Sequence, residues 1–231
     1  MTLFALVHGA WQRGAAWEPL RAELRRRGHE VVAVDLPTED PAAGARAYAD
    51  TVIAAVAGAA DVVVVGHSLG GLTAPLVSTD LSSVRRLVLL AAMVPTPGSS
   101  WDAYLATQPR GSVVLPGLSH CVLRHDDGST SFRGECAAQR WMPDAPAEVA
   151  LEQCGHIRRQ HWRITAEVTP LTRWPDVRTE YIVCAEDQII SPEWGRRIAP
   201  ERFGAGALEL PGDHSPFLAR AGELADLLVR D

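Results

Sequence analysis

The chain has 231 residues, 47% of them apolar and 22% charged, with a formal net charge of −6. That length and apolar content suit a single α/β domain with a substantial core. The negative charge argues against nucleic acid or an anionic membrane as a partner, and no stretch approaches the ~18–20 apolar residues of a membrane span.

All 22 basic residues are arginine, and the chain contains neither lysine nor asparagine. Both have AT-rich codons, which points to a GC-rich bacterial genome. Without lysine there is no Schiff base and no phosphate-loop lysine, so pyridoxal-phosphate and Walker-type nucleotide chemistry are excluded. Met1 to Val7 already reads as a strand with no basic region before it, so no signal peptide is expected. The expectation is a soluble cytoplasmic enzyme, monomeric or homodimeric, acting on a small molecule.

Strands and helices alternate along the chain, the pattern of a mostly parallel sheet with helices on both faces. Leu3–Val7 is a first strand, followed by a helix over Trp17–Arg27 that Gly28 caps. Val31–Val34 is a second strand. Tyr48, Val52, Ile53 and Val56 recur at helical spacing and predict a helix over Ala45–Ala57. Val62–Val65 is a third strand, Leu72–Thr79 a helix and Arg86–Ala91 a fourth strand. Two later units, around Tyr181–Ala185 and Ala207–Leu210, bring the sheet to six strands. A helix over Leu218–Val229 ends the chain.

The third strand runs straight into Gly66-His67-Ser68-Leu69-Gly70, and a helix follows. Gly-x-Ser-x-Gly in that strand–turn–helix context is a nucleophile elbow. The turn is so sharp that the serine backbone is strained, and small residues two before and two after let neighbouring chain approach. A serine hydroxyl needs a base, and the base needs an orienting acid. Glu186-Asp187 lies just past the Tyr181 strand, and Pro211-Gly212-Asp213-His214 just past the Leu208 strand. In a parallel sheet these loops gather at one edge, so Ser68, a carboxylate and His214 meet there. Asp213 adjoins His214, and adjacent side chains in an extended loop point apart, which leaves the two carboxylates after the Tyr181 strand.

Between Val94 and Pro175 the pattern becomes irregular, which predicts a cap inserted over the carboxyl edge of the sheet, at about residues 94–175. Trp101, Trp141, Trp162 and Trp174 fall in it and favour an apolar, aromatic chamber. The candidate substrate-binding side chains are Trp11, Trp101, Trp141 and Trp162. The insertion also holds His120, His125, His156 and His161 with Cys121, Cys136 and Cys154. Its close pairings are Cys154-x-His156 and His156-x4-His161, which are not the tight paired spacings of a zinc site. No metal and no cofactor are expected, and the four cysteines, Cys184 included, are expected to be free thiols.

His8-Gly9-Ala10-Trp11, the elbow at Gly66–Gly71, Glu186-Asp187 and Gly212-Asp213-His214 together resemble the α/β-hydrolase superfamily. More narrowly, they resemble its methylesterase and hydroxynitrile-lyase branch and the bacterial relatives of that branch. The resemblance spans the chain apart from the cap, which is only loosely similar. It implies the α/β-hydrolase fold, with Ser68 as nucleophile, His214 as base and Asp187 as acid. It further implies an oxyanion hole made by the Ala10 and Leu69 N–H groups, with His8 and His67 structural. Acyl transfer calls for such donors, because negative charge develops on the carbonyl oxygen. The lyases resembled here carry threonine after the first-strand histidine and lysine after the catalytic one. This chain has Gly9 and Ser215 there, so it matches the esterase pattern. The reading is a serine hydrolase of small carboxylic esters. Lactone hydrolysis by the same triad, or a non-catalytic binder of a small ligand, are the alternatives.

Overall fold

A computed structural model describes residues 1–230. In chain order the strands are β1 (Leu3–Val7), β2 (Glu30–Ala33), β3 (Val62–His67), β4 (Val84–Leu90), β5 (Val122–Arg124), β6 (Thr130–Phe132), β7 (Arg178–Cys184) and β8 (Leu208–Leu210). Six of them form one sheet in the order β2-β1-β3-β4-β7-β8, and every pairing in it is parallel. The α/β-hydrolase architecture expected from the sequence is what the chain adopts. All six residues of β3 and six of the seven in β4 are buried, which explains their near-continuous apolar runs: a parallel sheet covered on both faces has no solvent side to alternate with.

The helices before the insertion are α1 (Glu18–Arg26), α2 (Ala45–Ala55) and α3 (Ala74–Asp80). α1 buries Leu20 and Leu24, and α2 buries Tyr48, Ala49 and Val52, so the helical spacing read from the sequence is the core-facing stripe. Short 3-10 turns at Gly14–Trp17 and Ser68–Leu72 lead into α1 and α3, which begin at Glu18 and Ala74, one and two residues later than the sequence places them. The chain winds from β1 outward to β2, then crosses back to β3 on the other side of β1. The winding therefore reverses between β1 and β3, the point where the loops beyond two adjacent strands leave a crevice. Ala10 follows one of those strands and Ser68 the other.

The segment between β4 and β7 has more order than its sequence pattern implies. It contains α4 (Trp101–Ala106), the antiparallel hairpin of β5 and β6, α5 (Gly134–Arg140), α6 (Ala147–Gly155) and α7 (Arg163–Ala166). It is tied to the rest of the molecule by backbone bonds from Arg158 N–H to Trp11 O and from His161 N–H to Thr38 O, each 2.8 Å. Cys121 and Cys136 are joined by a disulfide, their Cα atoms 5.6 Å apart, while Cys154 and Cys184 are free thiols. The expectation of four free thiols is thereby corrected: the hairpin folds the start of β5 against α5, which brings the two together.

The last helices are α8 (Pro192–Phe203), α9 (Pro216–Ala219) and α10 (Ala221–Leu228). The single terminal helix expected from the sequence is broken at Arg220, whose backbone leaves the helical region. Arg86, 1% exposed, donates to the Leu228 and Arg230 carbonyls (2.6 Å for the latter) and fastens the end of α10 to β4. No helix among the described residues is long and apolar enough to cross a membrane.

Candidate active site

Ser68 sits at the tip of the turn between β3 and α3 with φ +52°, a conformation that a non-glycine residue holds only when its surroundings impose it. The surroundings do so. A Cβ on Gly66 would lie 2.7 Å from the Ala74 Cβ, and one on Gly70 would lie 2.5 Å from the Val7 carbonyl oxygen. The elbow therefore packs into space that only glycine leaves free. Met93 N–H holds the Ser68 carbonyl at 2.9 Å, fixing the turn from the β4 side.

His214 lies in the loop after β8, and its Nδ1 is 2.7 Å from Asp187 Oδ2, with both side chains buried. The other Asp187 oxygen accepts the Ile189 and Ile190 N–H groups, at 2.7 and 3.0 Å. The carboxylate is thus anchored by its own loop while it faces the imidazole. With Nδ1–H donated to Asp187, the Nε2 lone pair is free to take a proton. Glu186 points elsewhere, accepting the Gly212 N–H. Asp213 also turns away from the imidazole: its oxygens accept the Ser215 N–H at 2.8 Å and the Asp144 N–H at 2.9 Å. Burial raises its carboxyl above the usual range.

Gly9 lets the loop after β1 lie against the elbow, since a Cβ there would come 2.9 Å from the Ser68 Cβ. The same contact leaves no room for the lyase-type threonine on this backbone. Leu69 stands in the first turn of the 3-10 segment after Ser68, where a backbone N–H has no partner within the helix. Ala10 lines the cavity with Ser68, as do Gly9, Trp11, Gln12, His67, Trp141, Ile189 and His214. Gln12 and Ile189 were not anticipated from the sequence. Ile189 is placed by the turn that Asp187 caps, and the Gln12 carboxamide oxygen accepts the Gly9 N–H at 3.1 Å.

The two other histidines nearby are buried and engaged with backbone groups. His8 Nε2 accepts the Leu36 N–H at 3.0 Å, so its Nδ1 carries the proton donated to the Gly9 carbonyl at 2.8 Å. Burial pushes its pKa down to about 4. His67 lies 2.8 Å from the His214 carbonyl through Nε2, and burial, with His214 next to it, holds it well below its ordinary value. Both are neutral braces.

The tryptophans divide. Trp11, itself at φ +62°, stacks on Trp141 at 5.6 Å, and Phe132 stacks on Trp141 at 4.4 Å. Trp162 is a correction: it does not line the Ser68 cavity but stands edge-on against Trp11, and both indoles donate to Thr130 Oγ1 at 2.9 Å. Trp101 is a correction too: it packs with Tyr104 and Trp194, away from the Ser68 cavity, because α4 turns it toward α8. Trp174 packs at a tilt against Phe203 near the start of β7. Among the described residues one cluster has metal-ligand spacing, His120 with Cys121 and Cys136, and its two sulfurs are bonded to each other.

Residues 4–227 match the family model described as the alpha/beta hydrolase family. Polyneuridine aldehyde esterase of Rauvolfia serpentina is 32% identical over 254 aligned positions, covering 98% of this chain and 94% of that protein. A carbendazim hydrolyzing esterase of Nocardioides sp. (strain SG-4G) is 37% identical over 138 residues, 53% of this chain and 55% of that protein. Among solved structures, a pyrethroid hydrolase from Sphingobium faniae JZ-2 superposes with a TM-score of 0.80 at 22% identity, covering 98% of this chain and 95% of that one. Methylesterase 7 of Arabidopsis thaliana also matches along nearly the whole length, in keeping with the methylesterase-like branch that the motifs resemble. With its model matched from β1 to α10, the chain belongs to the alpha/beta hydrolase family.

Proposed function

We propose that the protein is a serine hydrolase that cleaves small carboxylic esters through an acyl-enzyme. The observation that carries this reading is the 2.7 Å contact between His214 Nδ1 and Asp187 Oδ2, with His214 and the strained Ser68 lining one cavity. Ser68 Oγ attacks the ester carbonyl carbon while its proton passes to His214 Nε2. The Ala10 and Leu69 N–H groups take the negative charge on the carbonyl oxygen, where losing one such donor costs about 3 kcal/mol. The alcohol leaves with the proton held by His214. Water then attacks the acyl-enzyme carbonyl carbon and gives one proton to His214 Nε2, which passes it to Ser68 Oγ as the acyl–oxygen bond breaks, releasing the carboxylic acid, free Ser68 and neutral His214.

The stacked Trp11 and Trp141 rings that line the cavity favour an ester with a flat aromatic or otherwise hydrophobic group. The names of the carbendazim and pyrethroid hydrolases among the relatives agree with that class. No cofactor, nucleic acid or membrane enters the scheme, and the working form is a monomer or homodimer. A cytoplasmic location is kept as the expectation. There thiol reductants would hold Cys121 and Cys136 as thiols. The test is a panel of p-nitrophenyl and methyl esters of graded acyl size and aromaticity. Hydrolysis of the aromatic members that disappears in Ser68→Ala supports the reading, and hydrolysis that Ser68→Ala retains contradicts it.

A further inference from the structure

The cavity at Ser68 measures about 20 Å³, room for about one water molecule, whereas sites that hold a small-molecule ligand run to roughly 300 Å³ or more. No ester reaches Ser68 unless part of the lining moves. Most of that lining is fixed by hydrogen bonds. Ile189 belongs to the turn capped by Asp187, Gln12 is held by Gly9, and the Trp11 indole is held by Thr130. Among the described residues, the Trp141 indole makes no hydrogen bond and is held by packing, including its stacking on Trp11 and Phe132. Trp141 also borders a second cleft, of about 10 Å³, lined by Arg13, Met142, Gln153, His156, Ile157 and Leu218, with Trp11, Gln12 and Trp141 common to both spaces.

The backbone that carries Trp141 is tied at both ends to the catalytic loops. One residue before it, Arg140 Nη2 donates to the Gln188 carbonyl at 3.0 Å, and Gln188 directly follows Asp187. Three residues after it, the Asp144 N–H donates to Asp213 Oδ2 at 2.9 Å, and Asp213 directly precedes His214. Resting on the serine-esterase reading of the same site, we infer that Arg140–Asp144 is a strap across the acid and base loops. Its plug, Trp141, swings aside to join the two cavities and so sets the size of the ester that reaches Ser68. Arg140 and Asp213 are positioning residues that hold the strap down. This gives Asp213 a task that its place beside His214 does not reveal.

The test compares p-nitrophenyl acetate with p-nitrophenyl biphenyl-4-carboxylate. Trp141→Ala should raise the bulky-to-small ratio of kcat/KM at least tenfold, and Trp141→Leu, which keeps more of the packing, should raise it less. Arg140→Ala and Asp213→Asn should each raise the ratio two- to fivefold. Each should also quicken hydrogen–deuterium exchange in the peptide containing 141–144, a readout that needs no turnover. A ratio that stays level or falls in both folded Trp141 variants overturns the plug. Unchanged exchange in both strap variants overturns the strap. Failure of the serine reading looks different: hydrolysis of both esters then persists in Ser68→Ala, while the exchange experiment still reports on the strap.

Discussion

The elbow and the cap sit face to face across one small cavity, yet they are built by opposite means. The elbow is specified locally: β3 is buried along its whole length, and Gly66 and Gly70 leave the space into which Ala74 and the Val7 carbonyl pack. The cap is specified by distant pairings. Trp11 and Trp162 share Thr130, Cys121 bonds Cys136, and Asp144 is held by Asp213, 69 residues away. A chemical centre that must be placed to within a fraction of an ångström stands on rigid sheet. The cap stands on long-range contacts, some of which reach the loops that carry Asp187 and His214.

The sharpest way to test this contrast is Ser68→Ala. Losing the nucleophile should reduce ester turnover by about 10⁴-fold or more while the unfolding midpoint stays near that of the parent, because one hydroxyl leaves no cavity. Loss of folding together with activity would mean that the elbow is structural first. Asp187→Asn ranks next, with an expected fall in kcat of roughly 10³- to 10⁴-fold, since the imidazole loses the carboxylate that fixes its tautomer. Glu186→Gln should lose far less. Equal losses at positions 186, 187 and 213 would dissolve the assignment of Asp187.

On the cap side, Cys121→Ser opens a bridge spanning 15 residues, worth about 3 kcal/mol by loop-closure entropy. Thermal unfolding of oxidised, reduced and substituted protein should show the loss in the substituted and reduced forms alike. A cap that unfolds separately from the sheet would appear as an earlier transition. An effect of at most similar size belongs to the elbow side and is a pH effect. His8, pushed down to about 4 by burial, stays neutral in the folded chain while the unfolded chain takes up a proton near ~6.5. Its contribution is therefore complete above that value and is lost as pH falls toward 4, a change of roughly 3 kcal/mol at most. Unfolding midpoints measured across that window should fall with pH, and a flat profile would contradict a neutral, buried His8.

The same contrast explains what the sequence makes legible. Ser68, Asp187 and His214 each stand one loop beyond a strongly apolar strand, so strand order brings them together before any side chain is placed. The hairpin of β5 and β6 leaves a trace in Asp127-Gly128 between Val122-Leu123-Arg124 and Thr130-Ser131-Phe132, a turn pair between two short strand-like runs. The disulfide leaves none, because a separation of 15 residues carries no pairing rule. Trp101 misleads for a related reason. Its partner Trp194 comes from α8, outside the insertion, and aromatic content alone does not say which face of a cap a ring occupies. Ile189 and Gln12 enter the cavity through backbone turns, which composition does not encode.

The central claim is that Ser68, activated by His214 and Asp187, is the nucleophile, and covalent labelling tests it without knowledge of the natural substrate. A small alkyl fluorophosphonate should modify the protein at one site, and peptide mass spectrometry should map that site to Ser68. Labelling should be absent in Ser68→Ala and slowed by orders of magnitude in His214→Ala. Stoichiometric labelling elsewhere, or full ester hydrolysis by a protein whose Ser68 stays unlabelled, would contradict the account.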